Sequence, residues 1–249
     1  MSSSNPTDPH REVGVFSSHH SSNDSDKIRP PMSHPHTTAY TIAEEIANAV
    51  THGLGALLAV IGMVVLVVRA SLHGDVWHIT SAAIFGATLV VCYLSSTLYH
   101  SIPHPRAKDL LRVLDHSAIF LLIAGTYTPF TLVSLRGKLG WWIFGIIWGC
   151  AALGITLGFA VRKWKGVVTA VLSVIMGWVA VVALGPLFRS LGPGGTTLVI
   201  AGGIIYTAGV AFYGLKRVPW NHAVWHLFVL GGSVLHYFAI LWFVVPAGS

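Results

Sequence analysis

Residues 222–245 read HAVWHLFVLGGSVLHYFAILWFVV, twenty-four positions without one Asp, Glu, Lys or Arg. A helix of about 20 apolar residues crosses a hydrocarbon core of ~30 Å, so this stretch predicts a membrane-spanning helix. A β reading fails, because an open strand leaves its backbone unsatisfied in lipid and the period-2 alternation of a membrane barrel is absent. Working back toward the N-terminus, six more apolar runs of similar length fall near 195–215, 167–188, 140–161, 113–134, 78–100 and 48–69. The expected fold is all-α: a polytopic, seven-transmembrane helix bundle.

Composition points the same way. The chain has 249 residues, 53% hydrophobic and 10% charged, with a mean hydropathy of +0.68. Soluble domains carry about 25% charged residues, so this chain has too little polar surface to stay in water. The net charge of +6 does not imply a nucleic-acid partner, because the basic residues sit in short pairs between apolar runs. Cys92 and Cys150 both fall inside such runs and read as packing residues, not as a disulfide. Residues 1–39 are rich in Ser, His, Pro and Asp, with five histidines (His10, His19, His20, His34 and His36) and no signal peptide. This composition predicts a disordered cytoplasmic tail ahead of a membrane domain over 40–249.

Helix breakers fall between the runs. Pro103 and Pro105 separate the second from the third, Pro193 opens the sixth, and Pro219 precedes the seventh. The fourth run carries Gly145, Gly149, Gly154 and Gly158, two small-xxx-small pairs that permit close helix approach. With the N-terminus inside, the inner segments hold eleven Lys and Arg residues and the outer segments only four, Arg69, Arg136, Lys138 and Arg189. Positive charge stays inside, so the N-terminus is expected in the cytoplasm and the C-terminus outside.

Ionisable residues within membrane spans are costly and mark functional sites. After Glu45 the only acids are Asp75, Asp109 and Asp115, and only Asp115 falls within an apolar run, in the first turn of the expected third span. An acid there also complements a helix dipole, and the residues leave both roles open. The second run ends in Ser96-Thr-Leu-Tyr-His100 and the seventh opens with His222-Ala-Val-Trp-His226. In each, i,i+4 spacing sets two side chains on one helix face. By the charge count, Glu45, Asn48, His52, Ser96, His100, Asp115, His222 and His226 all lie at the cytoplasmic end. Convergence from distant segments favours a shared metal site over separately satisfied histidines. Three imidazoles leave a fourth tetrahedral position open, the pattern of catalytic zinc, which brings the pKa of water to about 7. Asp115 then suits a general base and Ser96 a second polar support. Imidazole also accepts Cu, Fe and Ni. His236, ten residues beyond His226 and so about 15 Å deeper, is too far to share the metal and either lines a cavity or packs.

Together, Glu45-x2-Asn48-x3-His52, Ser96-x3-His100, Leu114-Asp115-His116 and His222-x3-His226 with His236 following resemble the motif set of the haemolysin III family. This family is the bacterial branch of the progestin and adipoQ receptor group and is related to the alkaline ceramidases. The resemblance covers about residues 40–245. It implies seven helices, one zinc per chain held by His100, His222 and His226, and Asp115 and Ser96 near the fourth position. The first motif carries no certain role. Three functions follow as expectations: a zinc-dependent hydrolase of membrane-lipid amide or ester bonds, a pore-forming or cytolytic membrane protein, and a receptor-like protein with structural zinc. A pore is disfavoured by the scarcity of charges within the spans. The expected location is the plasma membrane, with membrane lipid as partner.

Overall fold

The computed structural model describes residues 40–160, 166–215 and 217–246. The expected tail, with its histidines, lies outside the described residues, as do Arg162, Lys163, Lys165 and Lys216 of the charge count. The described residues are helical throughout, with no strand: α1 Ile42–His73, α2 Val76–Ser101, α3 Pro105–Pro129, α4 Lys138–Ala160, α5 Gly166–Gly177, α6 Leu184–Tyr213 and α7 Asn221–Phe243.

Local chemistry sets the helix starts. Thr41 caps α1 in a reciprocal box: its hydroxyl accepts from Glu44 N–H at 3.2 Å while the Glu44 carboxylate accepts from Thr41 N–H at 2.9 Å. Asp75 caps α2, accepting from Trp77 and His78 N–H at 2.9 and 3.1 Å. Pro105 opens α3, where its missing N–H costs nothing. This start lies eight residues ahead of the expected 113. The stretch Arg106–Arg112 is helical but carries four charges, Arg106, Lys108, Asp109 and Arg112, so hydropathy alone places the boundary too late. Asp115 is consequently the eleventh residue of α3 and not in its first turn, and the dipole reading of this acid falls away. At its far end α3 runs through Pro129 into a π turn, Phe130–Ser134, that closes against α4.

Six helical stretches among the described residues are long and apolar enough to cross a membrane. The runs expected at 167–188 and 195–215 fall within one of them, Val168–Tyr213, because a 3-10 turn at Trp178–Ala183 joins α5 to α6 without a loop. Its continuity breaks at Gly192, where φ is 64° and ψ −175°, a conformation glycine adopts without strain, and Pro193 follows. The halves on either side return along each other: Trp178 Nε1 donates to Thr207 Oγ1 at 2.9 Å, and Gly166 lies against the Tyr213 hydroxyl.

Helix α3 is central, with 72% of its most apolar stretch buried, whereas α1 and α4 bury 22% and turn long apolar faces outward. Leu54, Leu57, Ile61, Val64, Trp142, Ile146 and Leu153 are exposed on those faces, as side chains meeting lipid are. Helices α2 and α3 meet most closely at Gly125, where a Cβ would stand 1.8 Å from Thr88 Oγ1. Of the α4 glycines, Gly154 packs on Phe120 and Gly158 faces Ser117, while Gly145 and Gly149 meet nothing within 4 Å. Both cysteines are free thiols, as expected, but only Cys92 is buried as a packing residue; Cys150 is exposed.

The first and last helices run parallel. Trp220 N–H donates to Glu44 at 3.3 Å at one end, Tyr237 OH donates to Gly62 O at 3.3 Å midway, and Arg69 Nε donates to Pro246 O at 3.1 Å at the other. Trp220, at φ 60°, turns the chain into α7 at that first contact. This pairing sets the start of α1 beside the start of α7, and the candidate site forms there.

Candidate metal centre

His100 closes α2, and His222 and His226 open α7 one turn apart, all three buried. One ring nitrogen from each lies within 4.8 Å of the others. His100 Nε2 and His222 Nε2 are 3.1 Å apart, near the ~3.3 Å edge of a tetrahedron whose centre lies 2.0–2.1 Å from each nitrogen. Two neutral rings that both present Nε2 as acceptor repel at that distance, and a cation between them removes the repulsion. The donor set therefore fits one divalent metal ion of the kind imidazole binds.

The first motif supplies the supports. Glu45 Oε2 lies 2.6 Å from His100 Nδ1, so that nitrogen carries the proton and Nε2 presents its lone pair to the cluster. The other carboxylate oxygen pairs with Lys108 Nζ at 2.5 Å, which fixes the acid between α1 and α3. Asn48 Nδ2 stands 3.5 Å from the same His100 nitrogen, and the Asn48 carbonyl lies 3.2 Å from His226 Nδ1. That carbonyl directs the His226 proton outward and Nε2 inward. Thr51 Oγ1, 3.2 Å from His226 Nδ1, shares the task. His52 stacks face to face on His226, centroids 3.5 Å apart and planes at 12°. Both its nitrogens are buried without a hydrogen-bond partner. It stands outside the three-nitrogen cluster as a wall of the site.

Asp115, with His52, His116, Tyr213, His222 and His226, lines a small cavity of about 30 Å³, enough for a water. The Asp115 carboxylate lies 3.6 Å from His116 Nδ1. Ser96 is buried one turn before His100, and its Oγ has no hydrogen-bond partner, so it does not support Asp115. Thr51 and Lys108 are the contributors that sequence spacing missed. Thr51 lies between the motif residues Asn48 and His52, the single signal that could have found it. Lys108 sits in the polar turn that hydropathy set outside the helix.

Ile119, Trp225 and Val229 form a shared wall between the small cavity and a larger chamber of about 330 Å³. The chamber extends between α3, α5, α6 and α7 and is lined mostly by apolar residues such as Leu122, Ile123, Leu187 and Ile200.

Comparison with known proteins places this architecture. A family model described as "Haemolysin-III related" matches residues 40–237. The chain is 47% identical over 209 residues to "Hemolysin-3" of Bacillus cereus, covering 84% of this chain and 95% of that protein. It is 46% identical over 206 residues to the "Hemolysin-3 homolog" of Bacillus subtilis (strain 168), covering 83% and 97%. More distantly, it is 28% identical over 206 residues to the human "Monocyte to macrophage differentiation factor", covering 80% and 84%. The family match over residues 40–237, the 46–47% identity to two Hemolysin-3 relatives and the six apolar helical stretches together make the chain a multi-pass membrane protein that belongs to the haemolysin-III related family.

Proposed function

We propose that this protein is a zinc-dependent hydrolase of amide or ester bonds in membrane lipids, its site facing the cytoplasm. One observation carries the reading: the cavity lined by Asp115, His222 and His226 abuts an apolar chamber through Ile119, Trp225 and Val229. A polar reacting centre next to a chain-sized apolar space suits an amphiphile that enters from the bilayer. His100, His222 and His226 hold the ion, and zinc supplies Lewis acidity there when bound. Glu45 fixes the His100 tautomer, and the Asn48 carbonyl fixes that of His226. Asp115 accepts the proton that the attacking water loses and returns it to the leaving group. The apolar wall excludes bulk water and aligns the chain.

The topology belongs to the same proposal: seven crossings, with the N-terminus inside. A straight 46-residue helix would be about 69 Å long, more than twice the hydrocarbon core, so the stretch bent at Gly192 crosses twice. Parity supports this, because α1 and α7 run parallel and helices pointing the same way have an odd number of crossings between them, five in a seven-crossing bundle. The plasma membrane is the site of action, and the lysine and arginine bias sets the orientation.

The test is elemental analysis of the detergent-purified protein beside His100→Ala and His226→Ala, followed by hydrolysis assays on amide- and ester-linked lipids. The expected result is about one zinc per chain, lost in both variants. Lipid hydrolysis should vanish in Asp115→Asn while zinc remains. A well-folded wild type without metal would sink the mechanism. The likeness to a protein named Hemolysin-3 favours a second reading, membrane lysis. Release of vesicle contents by an Asp115→Asn protein that hydrolyses nothing would support it. If removal of zinc only lowers the melting temperature, the metal is structural and the protein receptor-like.

A further inference from the structure

Most polar groups along the apolar chamber are already engaged. Thr126 Oγ1 donates to Leu122 O, Tyr127 OH to Gly177 O, and Thr207 Oγ1 to Gly203 O, while Tyr206 OH pairs with Ser233 Oγ. Two groups are not. His236 on α7 lies against Val199 O, with its Nε2 3.1 Å away. Gly202 lets the ring come this close, since a Cβ there would stand 2.8 Å from Nε2. With Nε2–H donating to Val199, a neutral imidazole keeps one lone pair, on Nδ1. That nitrogen is buried without a hydrogen-bond partner, and so is Ser173 Oγ on α5. Both residues line the chamber. Unpaired polar groups this deep are rare in folded proteins, and two on residues that line one apolar cavity from different helices point to an absent partner.

We propose that His236 and Ser173 form a second polar subsite, which hydrogen-bonds a hydroxyl carried partway along the chain of the bound amphiphile. The proposal rests on the chamber holding a lipid chain, as argued above. The matching chemistry is specific. Nδ1 is an acceptor only, so it selects a group that donates, and a hydroxyl donates to it while accepting from Ser173 Oγ–H. A carboxylate or an ether oxygen on the chain offers Nδ1 no proton. His236 lies ten residues beyond His226, about 15 Å along α7, so the hydroxyl must sit near the middle of a long chain whose head lies at the histidine cluster. A plain chain fills the same space but leaves both protein groups unpaired, and sites built this way discriminate against the analogue that lacks the hydroxyl.

The experiment compares binding of stearate and of a hydroxystearate with its hydroxyl at mid-chain to the full-length protein in detergent, by displacement of a fluorescent fatty acid. One hydrogen bond predicts a preference of about tenfold for the hydroxylated chain. His236→Leu should bring the ratio of hydroxystearate to stearate affinity close to one, whatever it does to stearate binding itself, and Ser173→Ala should reduce that ratio by a smaller factor. Thermal melts without ligand show which variants fold, and Ser173→Ala serves if His236→Leu does not. Equal binding of the two chains to the wild type would overturn the subsite while leaving the chamber reading intact, with water as the pair's partner. A preference that survives in the folded variants would overturn it also. Failure of both chains to bind would overturn the subsite and the lipid chamber together.

Discussion

Glu45 stands between two donors, with one oxygen on His100 and the other on Lys108. Carboxylates behind metal-binding imidazoles raise ligand basicity and fix the tautomer, and their loss weakens metal affinity by 10–100-fold. Glu45→Gln should therefore bind zinc at least about tenfold more weakly in a chelator competition, with the fold retained. Unchanged affinity would show that the acid serves only to anchor α1. Asp115→Asn should behave in the opposite way, keeping the metal and losing turnover. At this scale the sequence was partly legible. The His222/His226 pair and the His100 terminus announced themselves by i,i+4 spacing and by their place at helix ends. Glu45 and Asn48 were visible as a motif, but their tasks were hidden, because a contact across 55 residues between Glu45 and His100 leaves no periodic signal. Lys108 was hidden for a different reason, lying in a polar turn with no motif around it.

Helix ends and helix contacts carry their own tests. At the α2 start, Asp75 accepts from the His78 and Trp77 N–H groups, and His78 Nδ1 lies 2.6 Å from its carboxylate. The His78 N–H above all holds this carboxyl below its ordinary value of 3.8. A depressed folded-state pKa gives stability that is present above the ordinary value and is lost as pH falls through the lower one. The melting temperature of the wild type should fall on acidification below about pH 4, and Asp75→Asn should show a smaller fall over the same window. The α2–α3 contact is less forgiving. Gly125→Ala forces a Cβ onto Thr88 Oγ1, and overpacking of this kind costs 1–3 kcal/mol or more, roughly. Gly145→Ala, where no neighbour lies within 4 Å, should leave the melting temperature unchanged. Equal stability of the two variants would refute the close approach. The elements themselves were legible from hydropathy, and their ends were not, for polar turns such as Arg106–Arg112 are helical without being apolar. The join between α5 and α6 was equally silent, since a 3-10 turn of Val, Ala and Trp reads like the helices it connects.

At the scale of the whole bundle, the first and last helices pair in parallel, and the proposed seven crossings agree with that pairing. An alkaline phosphatase fusion at the C-terminus should be active, as that enzyme folds only outside, and a fusion in the α6–α7 connection should be silent. The reverse pattern would invert the topology. Chelation should lower the melting temperature of the wild type and leave that of His226→Ala unchanged, since α2 and α7 lose their shared tie only where it exists. The apolar runs made an all-helical membrane bundle readable in the sequence, but the closure of α7 against α1 was not, because no local pattern records which outer helices meet. The Glu44–Trp220 contact that makes this closure has a consequence for biogenesis. A chain emerging from the ribosome has inserted Glu45, His100 and Asp115 long before His222 and His226 are made. Until then His100 stands without the two imidazoles that complete its cluster. The candidate centre is thus closed only by the last helix to be made, and a truncated or stalled product cannot assemble it.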